Sequence, residues 1–252
     1  MKWIQGKVVG QTEWAPGLFS LFIEIAAFDF LAGQFIQVSM DEEQKLFRPY
    51  SLLNAPAENV LEIYYTLVKH GALTPKLATL SPNDKVWVSA KASGRFVLNE
   101  VDSADILWCF ATGTGLGPFI SILKTKTPWE RYRKIVLAHS VRYINELTHQ
   151  LQVESWLENH STKFHWCPIV TREPSKHARQ LRITALLQNG ELEAAIGVSL
   201  DKTNSQVMLC GNPSMVLDVT SSLTQRGLKT SHPKDKGQIT IENYWKQPAE
   251  SL

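Results

Sequence analysis

Several groups of residues in this sequence have types and spacings that can do chemistry. The first is Arg48-Pro49-Tyr50-Ser51, which puts a guanidinium, an aromatic face and a hydroxyl within one short segment. An arginine can grip a pyrophosphate with two hydrogen bonds, a tyrosine can stack on a flat ring, and a serine hydroxyl can meet a ring nitrogen. If the segment is a strand, Arg48 and Tyr50 share one face and Ser51 takes the other. Taken alone, it also fits an edge strand with a turn proline. The second group is Gly71-Ala72-Leu73-Thr74-Pro75. Thr74 suits an N-cap and Pro75 the first helical position, which predicts a helix running through Lys76–Leu80. The exposed N–H groups at its start can bind an anion such as a diphosphate; an ordinary capped helix reads the same way.

The third group is Ala111-Thr112-Gly113-Thr114-Gly115-Leu116-Gly117-Pro118, a glycine turn between an apolar run and a helix start. Strand, glycine turn and helix make a dinucleotide-phosphate site in principle. Gly113, Gly115 and Gly117 are spaced two apart, so this is not the regular G-x-G-x-x-G. That spacing argues against the nucleotide fold of disulfide-reductase flavoproteins. The fourth group is Cys210-Gly211-Asn212-Pro213-Ser214-Met215, again directly after an apolar run. By itself Cys210 also reads as a small buried core residue. Arg142 and Thr171-Arg172 follow apolar runs in the same half, Arg182 lies further on, and each arginine alone fits a solvated surface charge. Glu242-Asn243-Tyr244-Trp245 near the end pairs a carboxylate with two aromatics, which alone could simply anchor the last segment.

The elements that must position these groups divide into two halves. Leu18–Ile25, Gln34–Val38, Leu61–Val68 and Lys85–Ser89 are short runs rich in β-branched and aromatic residues, separated by turn residues such as Ala15-Pro16-Gly17 and Ser81-Pro82-Asn83-Asp84. They predict an antiparallel barrel or sandwich. After about residue 104 the period changes. Ile106–Ala111, Ile135–His139 and Val207–Cys210 read as buried strands, and Lys163–Val170 as a strand. Pro118–Thr125, Leu147–Glu158, Ala185–Leu192 and Ser214–Arg226 read as helices between and after them. Alternating strands and helices predict a parallel sheet with crossover connections. The polar stretch at 99–104 suits a linker. The expected organisation is a domain over 1–99, a second over 104–245, and a tail over 246–252.

Bulk properties narrow the function classes. The chain has 252 residues, 44% hydrophobic and 20% charged, an ordinary globular composition with room for two domains. A formal net charge of +2 gives no argument for a nucleic-acid or membrane partner. The first residues lack the apolar core of a signal peptide, and no run approaches the ~18 apolar residues of a membrane span. Cys109, Cys167 and Cys210 are dispersed and odd in number, so neither a disulfide framework nor a zinc or iron–sulfur site is expected. The expectation is a cytoplasmic protein without a structural metal.

Together the groups resemble the ferredoxin/flavodoxin–NADP reductase family, bacterial type, over nearly the whole chain. Arg-x-Tyr-Ser followed by Gly-x-x-Ser/Thr is similar to that family's flavin-binding pattern. The resemblance implies that Arg48, with Pro49, and the loop Gly71, Ala72, Leu73, Thr74 hold the FAD pyrophosphate. Tyr50 would stack on the isoalloxazine and Ser51 lie near its N5. Tyr64, Tyr65, Thr66 and Val68 belong to the strand that lines the flavin in similar proteins. Thr112, Gly113, Thr114 and Gly115 resemble the entry loop of the NADP domain, with Thr114 also assigned to FAD. Cys210, Gly211, Asn212, Pro213 and Met215, with Asp218 beyond them, resemble the turn beside the nicotinamide. Val141-Arg142, Thr171-Arg172 and Arg182 stand where similar bacterial reductases hold the 2′-phosphate and ribose, although here Leu181, not the usual glycine, precedes Arg182. Tyr244 would cover the flavin opposite Tyr50, moving aside for the nicotinamide, and Trp245 would lie at the adenine end. The family pattern ends there, whereas this chain continues to Leu252.

The function implied is hydride exchange between NADPH and noncovalently bound FAD, then single-electron transfer to or from ferredoxin or flavodoxin. Ser51 and Cys210 are the candidates nearest hydride transfer. Glu242 is the candidate for proton delivery or nicotinamide placement. With no cluster site of its own, the chain needs a separate carrier, and basic residues should steer an acidic one. A monomer is expected. The alternatives are an NADPH-dependent flavin reductase, an oxygenase-linked reductase, or a noncatalytic flavin-binding subunit.

Overall fold

The computed structural model describes residues 1–26 and 28–242. They form two compact units, Met1–Val97 with Gly117–Thr125, and Leu98–Leu116 with the chain from Lys126 onward.

The first unit is built on β1 (Trp3–Ala15), β2 (Leu18–Glu24), β3 (Phe35–Ser39), β4 (Phe47–Ser51), β5 (Val60–Thr66) and β6 (Lys85–Ser89). They pair antiparallel in the order β4-β3-β6-β1-β2-β5. The two edges meet through the Leu52–Ile63 bridge, where the Leu53 amide donates to the Glu62 carbonyl at 2.9 Å. That contact closes the sheet into a barrel and removes its open edges. Leu21, Ile23, Ile36, Val38, Ile63, Val86 and Val88 fill the interior without solvent exposure. Sequence reading passes over β1. Its Gly6 and Gly10 interrupt the alternation that marks a strand, and Gly6 is needed because a Cβ there would come within 2.6 Å of the Ile23 side chain.

Two helices complete this unit, α1 (Thr74–Leu77) and α2 (Gly117–Leu123). α1 ends before the expected Leu80, and Leu73, not Thr74, occupies its N-cap position. α2 packs on the β4–β5 connection. Gly117 faces Leu53, the Ser121 hydroxyl donates to the Asn54 carbonyl at 2.7 Å, and Phe119 meets Phe96 edge-on.

The second unit is a parallel sheet of β7 (Ile106–Thr112), β8 (Lys134–Val141), β9 (Phe164–Val170), β10 (Ser205–Cys210) and β11 (Ile239–Glu242), in the order β11-β10-β7-β8-β9. Its helices are α3 (Thr127–Arg131), α4 (Gln150–Asn159), α5 (Ile183–Gln188), α6 (Glu191–Ile196) and α7 (Pro213–Gln225). The single helix expected at 185–192 is two, broken where Gly190 turns to φ +75°. α4 starts later than expected because His149 sits at φ +58°. Short β11 and α3 carry no period long enough to read from sequence. The 99–104 stretch is pinned: the Arg131 guanidinium donates to the Leu98 carbonyl at 2.6 Å and to that of Val101, and Val101 is buried.

Candidate functional site

In the first unit, period two divides β5 between two faces. Leu61, Ile63 and Tyr65 enter the barrel interior, while Glu62, Tyr64 and Thr66 take the opposite face. The Tyr65 hydroxyl donates to Gln11 at 2.7 Å, and its ring packs edge-on against Tyr50 at 6.1 Å. Tyr65 therefore braces Tyr50 from inside the barrel. Tyr50 is buried, and that burial, partly offset by the neighbouring Arg48 charge, pushes its hydroxyl up to about 12. It stays a neutral ring. Ser51 is buried one residue on. Arg48 and Pro49 are exposed on β4. Arg48 donates to the Phe47 carbonyl at 2.8 Å and forms no ion pair with a described residue.

The loop from Val68 to Thr74 folds tightly about its glycine. The Gly71 amide donates to the Val68 carbonyl at 2.7 Å, and the Val68 amide donates to the Thr74 hydroxyl at 2.9 Å. A Cβ at Gly71 would lie 3.1 Å from Val68. Thr74 thus closes the loop with its hydroxyl, where the sequence suggests a helix cap. The amides of Ala72, Leu73 and Thr74 make no backbone hydrogen bond to a described residue. A guanidinium without a carboxylate and a run of amides without backbone partners are each donors of the kind that a pyrophosphate accepts.

In the second unit the strand order reverses between β7 and β10, where open α/β sheets bind ligands beyond the carboxyl ends of their strands. Both glycine turns stand there and interlock. The Asn212 amide donates to the Thr112 hydroxyl at 2.6 Å. Gly211 lies at φ +134°, and a Cβ on it would fall 2.1 Å from that same oxygen. A Cβ on Gly115 would fall 2.4 Å from the Cys210 carbonyl. Gly113 differs: at φ +52° its missing Cβ would meet nothing within 4 Å, so open space lies over this turn. The Asn212 side chain caps α7 by accepting from the Ser214 amide at 2.9 Å, with Pro213 in the first turn. Met215 packs into the core, and Asp218 is exposed further along α7.

The next two strands end in cations. Val141 is buried, and its carbonyl accepts from the Thr171 amide and hydroxyl, each at 3.0 Å. The Arg172 amide donates to the Arg142 carbonyl at 2.9 Å, so the two arginines leave adjacent strand ends side by side. The carboxylates nearby are occupied by backbone: Glu146 accepts from the Arg142 and Tyr143 amides, and Glu173 from that of Ile144. Arg142, Arg172 and Arg182 are exposed and form no ion pair with a described residue, unlike Arg179 and Arg226, which pair with Glu191 and Glu193. Arg182 stands at the N-cap of α5. Exposed guanidiniums at strand ends fit a phosphate monoester.

Cys210 and Glu242 are direct register partners across β10 and β11. Cys210 is fully buried, and burial pushes the Glu242 carboxyl up to about 7. Two of the three catalytic candidates are thus side by side, with one able to exchange a proton near neutrality. Tyr244 and Trp245 lie outside the described residues. Sequence reading missed His139, whose Nε2 stands 3.0 Å from the Gly113 carbonyl oxygen. Its signal was available: a histidine inside the apolar run of β8.

The described residues contain no helix long and apolar enough to cross a membrane and no cluster of metal-ligating side chains. The model of the oxidoreductase NAD-binding domain matches residues 110–221. The flavodoxin/ferredoxin–NADP reductase of Escherichia coli K12 is 38% identical, over 96% of this chain and 99% of its own length. The ferredoxin–NADP reductase of Pseudomonas aeruginosa is 32% identical, over 89% and 90%. A crystal structure of a ferredoxin NADP+ reductase from Neisseria gonorrhoeae with bound FAD and NADP superposes with a TM-score of 0.91 at 27% identity, covering 97% of this chain and all of that one.

Proposed function

The chain belongs to the flavodoxin/ferredoxin–NADP reductase family, and from that premise we propose how its residues divide the work of an FAD-dependent oxidoreductase that uses NADP(H). FAD, when bound, takes a hydride from NADPH and releases electrons one at a time, which a nicotinamide does poorly. The barrel unit is the FAD domain. Arg48 and the amides of Ala72–Thr74 neutralise its pyrophosphate. Tyr50, held rigid by Tyr65, offers a neutral aromatic face, and Tyr64, Thr66 and Val68 continue that lining. Ser51 offers its hydroxyl to the reacting ring. The parallel-sheet unit is the NADP domain. Thr112–Gly115 and Gly211–Pro213 bound the nucleotide, and Arg142, Thr171, Arg172 and Arg182 read its 2′-phosphate and ribose. Cys210 packs beside the nicotinamide, and Glu242 holds or moves a proton there.

The observation that carries this reading is the interlock of the Thr112 and Asn212 turns at the strand-order reversal, the place where open α/β sheets bind their ligands. The electron carrier is ferredoxin or flavodoxin, the partners in the relatives' names, and the enzyme works as a cytoplasmic monomer. An anaerobic titration with NADPH and, separately, NADH tests the assignment. Bleaching of the flavin bands at much lower NADPH than NADH is the expected result. A protein that binds no FAD, or whose flavin neither nucleotide reduces, overturns it. Turnover no faster with ferredoxin or flavodoxin than with free flavin overturns the carrier.

A further inference from the structure

His139 lies in β8 between Ala138 and Ser140 and has no solvent exposure. Its Nε2 is 3.0 Å from the Gly113 carbonyl oxygen, while its Nδ1 has no partner. A carbonyl oxygen only accepts, so Nε2 carries the proton and Nδ1 is a buried lone pair. Burial pushes the ring down to about 4, which keeps it in this neutral form through the working range. An unpartnered buried nitrogen costs stability. A leucine would fill this strand position without that cost, so the histidine must return something through its one hydrogen bond.

What it returns is the direction of one peptide. The Gly113–Thr114 bond is trans, so its C=O and N–H point opposite ways. Tying the carbonyl back to His139 turns the Thr114 amide the opposite way, and that amide donates to no backbone carbonyl among the described residues. Gly113 has no side chain to hold its own orientation and enters the 3-10 turn Gly113–Leu116 with a left-handed φ, so the His139 bond adds a side-chain anchor to this peptide. We propose that His139 is a positioning residue that locks the Gly113–Thr114 peptide so that the Thr114 N–H faces a phosphate oxygen of the nucleotide. The inference rests on the second unit being the NADP(H) site. It also separates two tasks: His139 serves the part of the nucleotide common to NADPH and NADH, and the strand-end arginines serve the 2′-phosphate.

The test uses the FAD-loaded enzyme and steady-state kinetics with both nucleotides. In His139→Gln the amide nitrogen replaces Nε2 and can still donate, whereas in His139→Asn it replaces Nδ1 and cannot reach. His139→Leu removes both nitrogens. Loss of one hydrogen bond predicts that the Asn and Leu variants raise KM for NADPH and NADH alike, by about tenfold, with kcat changed less and FAD content unchanged. The Gln variant should stay within about threefold of the parent. Arg172→Ala, run in parallel, should raise KM for NADPH alone. If Arg172→Ala behaves so while the Leu variant leaves both KM values unchanged, the positioning role is overturned and the NADP(H) site stands. If neither substitution moves either KM, the site itself is overturned. A Gln variant as impaired as the Leu variant also overturns the role, because only the ring's packing would then matter.

Discussion

Replacing Glu242 by glutamine should remove a pH dependence that the folded protein carries near neutrality. Burial raises its carboxyl from 4.5 to about 7, so the folded chain holds this proton more tightly than the unfolded chain does. The sign follows from linkage: the stabilisation is complete below about pH 4.5 and is lost as pH rises through about 7. Over that interval, at about 1.4 kcal/mol per pH unit, the loss is at most about 3 kcal/mol. Glu242 keeps part of its surface in water, which reduces the figure to about 2 kcal/mol. For a chain of this size that corresponds to a fall in Tm of about 4–8 °C between about pH 5 and about pH 8. Glutamine is neutral throughout, so Glu242→Gln should lack this component. The assay is thermal melting of the FAD-saturated wild type and variant across that range, with the difference between their curves isolating one group. The same variant should flatten the pH profile of flavin reduction by NADPH, because its side chain stands beside Cys210 in register and neither gains nor loses a proton near pH 7. Parallel Tm curves for the two proteins would refute the argument from burial, and unchanged pH profiles would remove Glu242 from proton transfer.

Arg48→Ala and Tyr50→Ala should each weaken FAD retention, measured as flavin content after dilution and gel filtration; full flavin in both would sink the barrel site. Gly115→Ala should destabilise by about 2–3 kcal/mol, because its Cβ would meet the backbone of Cys210 at 2.4 Å. Gly113→Ala should cost only about 1–2 kcal/mol, the penalty of its left-handed φ, yet raise KM for nucleotide by filling the open space over the turn. Equal stability losses in the two variants, read by urea unfolding, would contradict the different surroundings assigned to these glycines. His139 should make the protein acid-sensitive. Its folded value near 4 lies below the usual 6.5, so stability is present above about pH 6.5 and falls by up to about 3 kcal/mol as pH drops through about 4. His139→Leu should show a shallower acid slope by that amount, and an unchanged slope would refute the burial argument.

The parts of the fold legible in the sequence are those where local pattern and tertiary role agree. β7 and β10 read as buried strands because they are apolar on both faces, and both are. β6 is found to the residue because turn chemistry brackets it. β1 is lost because it serves two partners: it pairs with β6 at its start and β2 at its end, shifting register twice. A strand that changes partners carries no single alternation to read. At the site, the pattern names Tyr64 and Tyr65 together, and only the barrel's curvature separates the outward ring from the inward brace. The proximity of Cys210 and Glu242 is set by strand pairing across 32 positions of sequence, which no local spacing reveals.

The glycine spacing that sets this chain apart from G-x-G-x-x-G has a cause in the neighbours of each glycine. In the regular pattern, glycines serve the turn, the pyrophosphate and helix–strand packing within one βαβ unit. Here Gly113 supplies the turn and the open space, and Gly115 lets the backbone pass the Cys210 carbonyl. Gly117 allows α2 to seat against Leu53, within 2.9 Å of where its own Cβ would be. The third glycine thus answers to the barrel unit, to which α2 belongs, and not to the sheet that precedes it. A helix packed against its own sheet would want its small residue one helical turn into the helix, facing that sheet. A helix that belongs to another unit needs it at its first residue, where the chain changes company. The alternation of three glycines two apart is therefore a record of the crossing between units. It should tolerate a larger residue at position 117 only where a compensating Leu53→Ala opens the space, an exchange that paired unfolding measurements on the single and double variants can check.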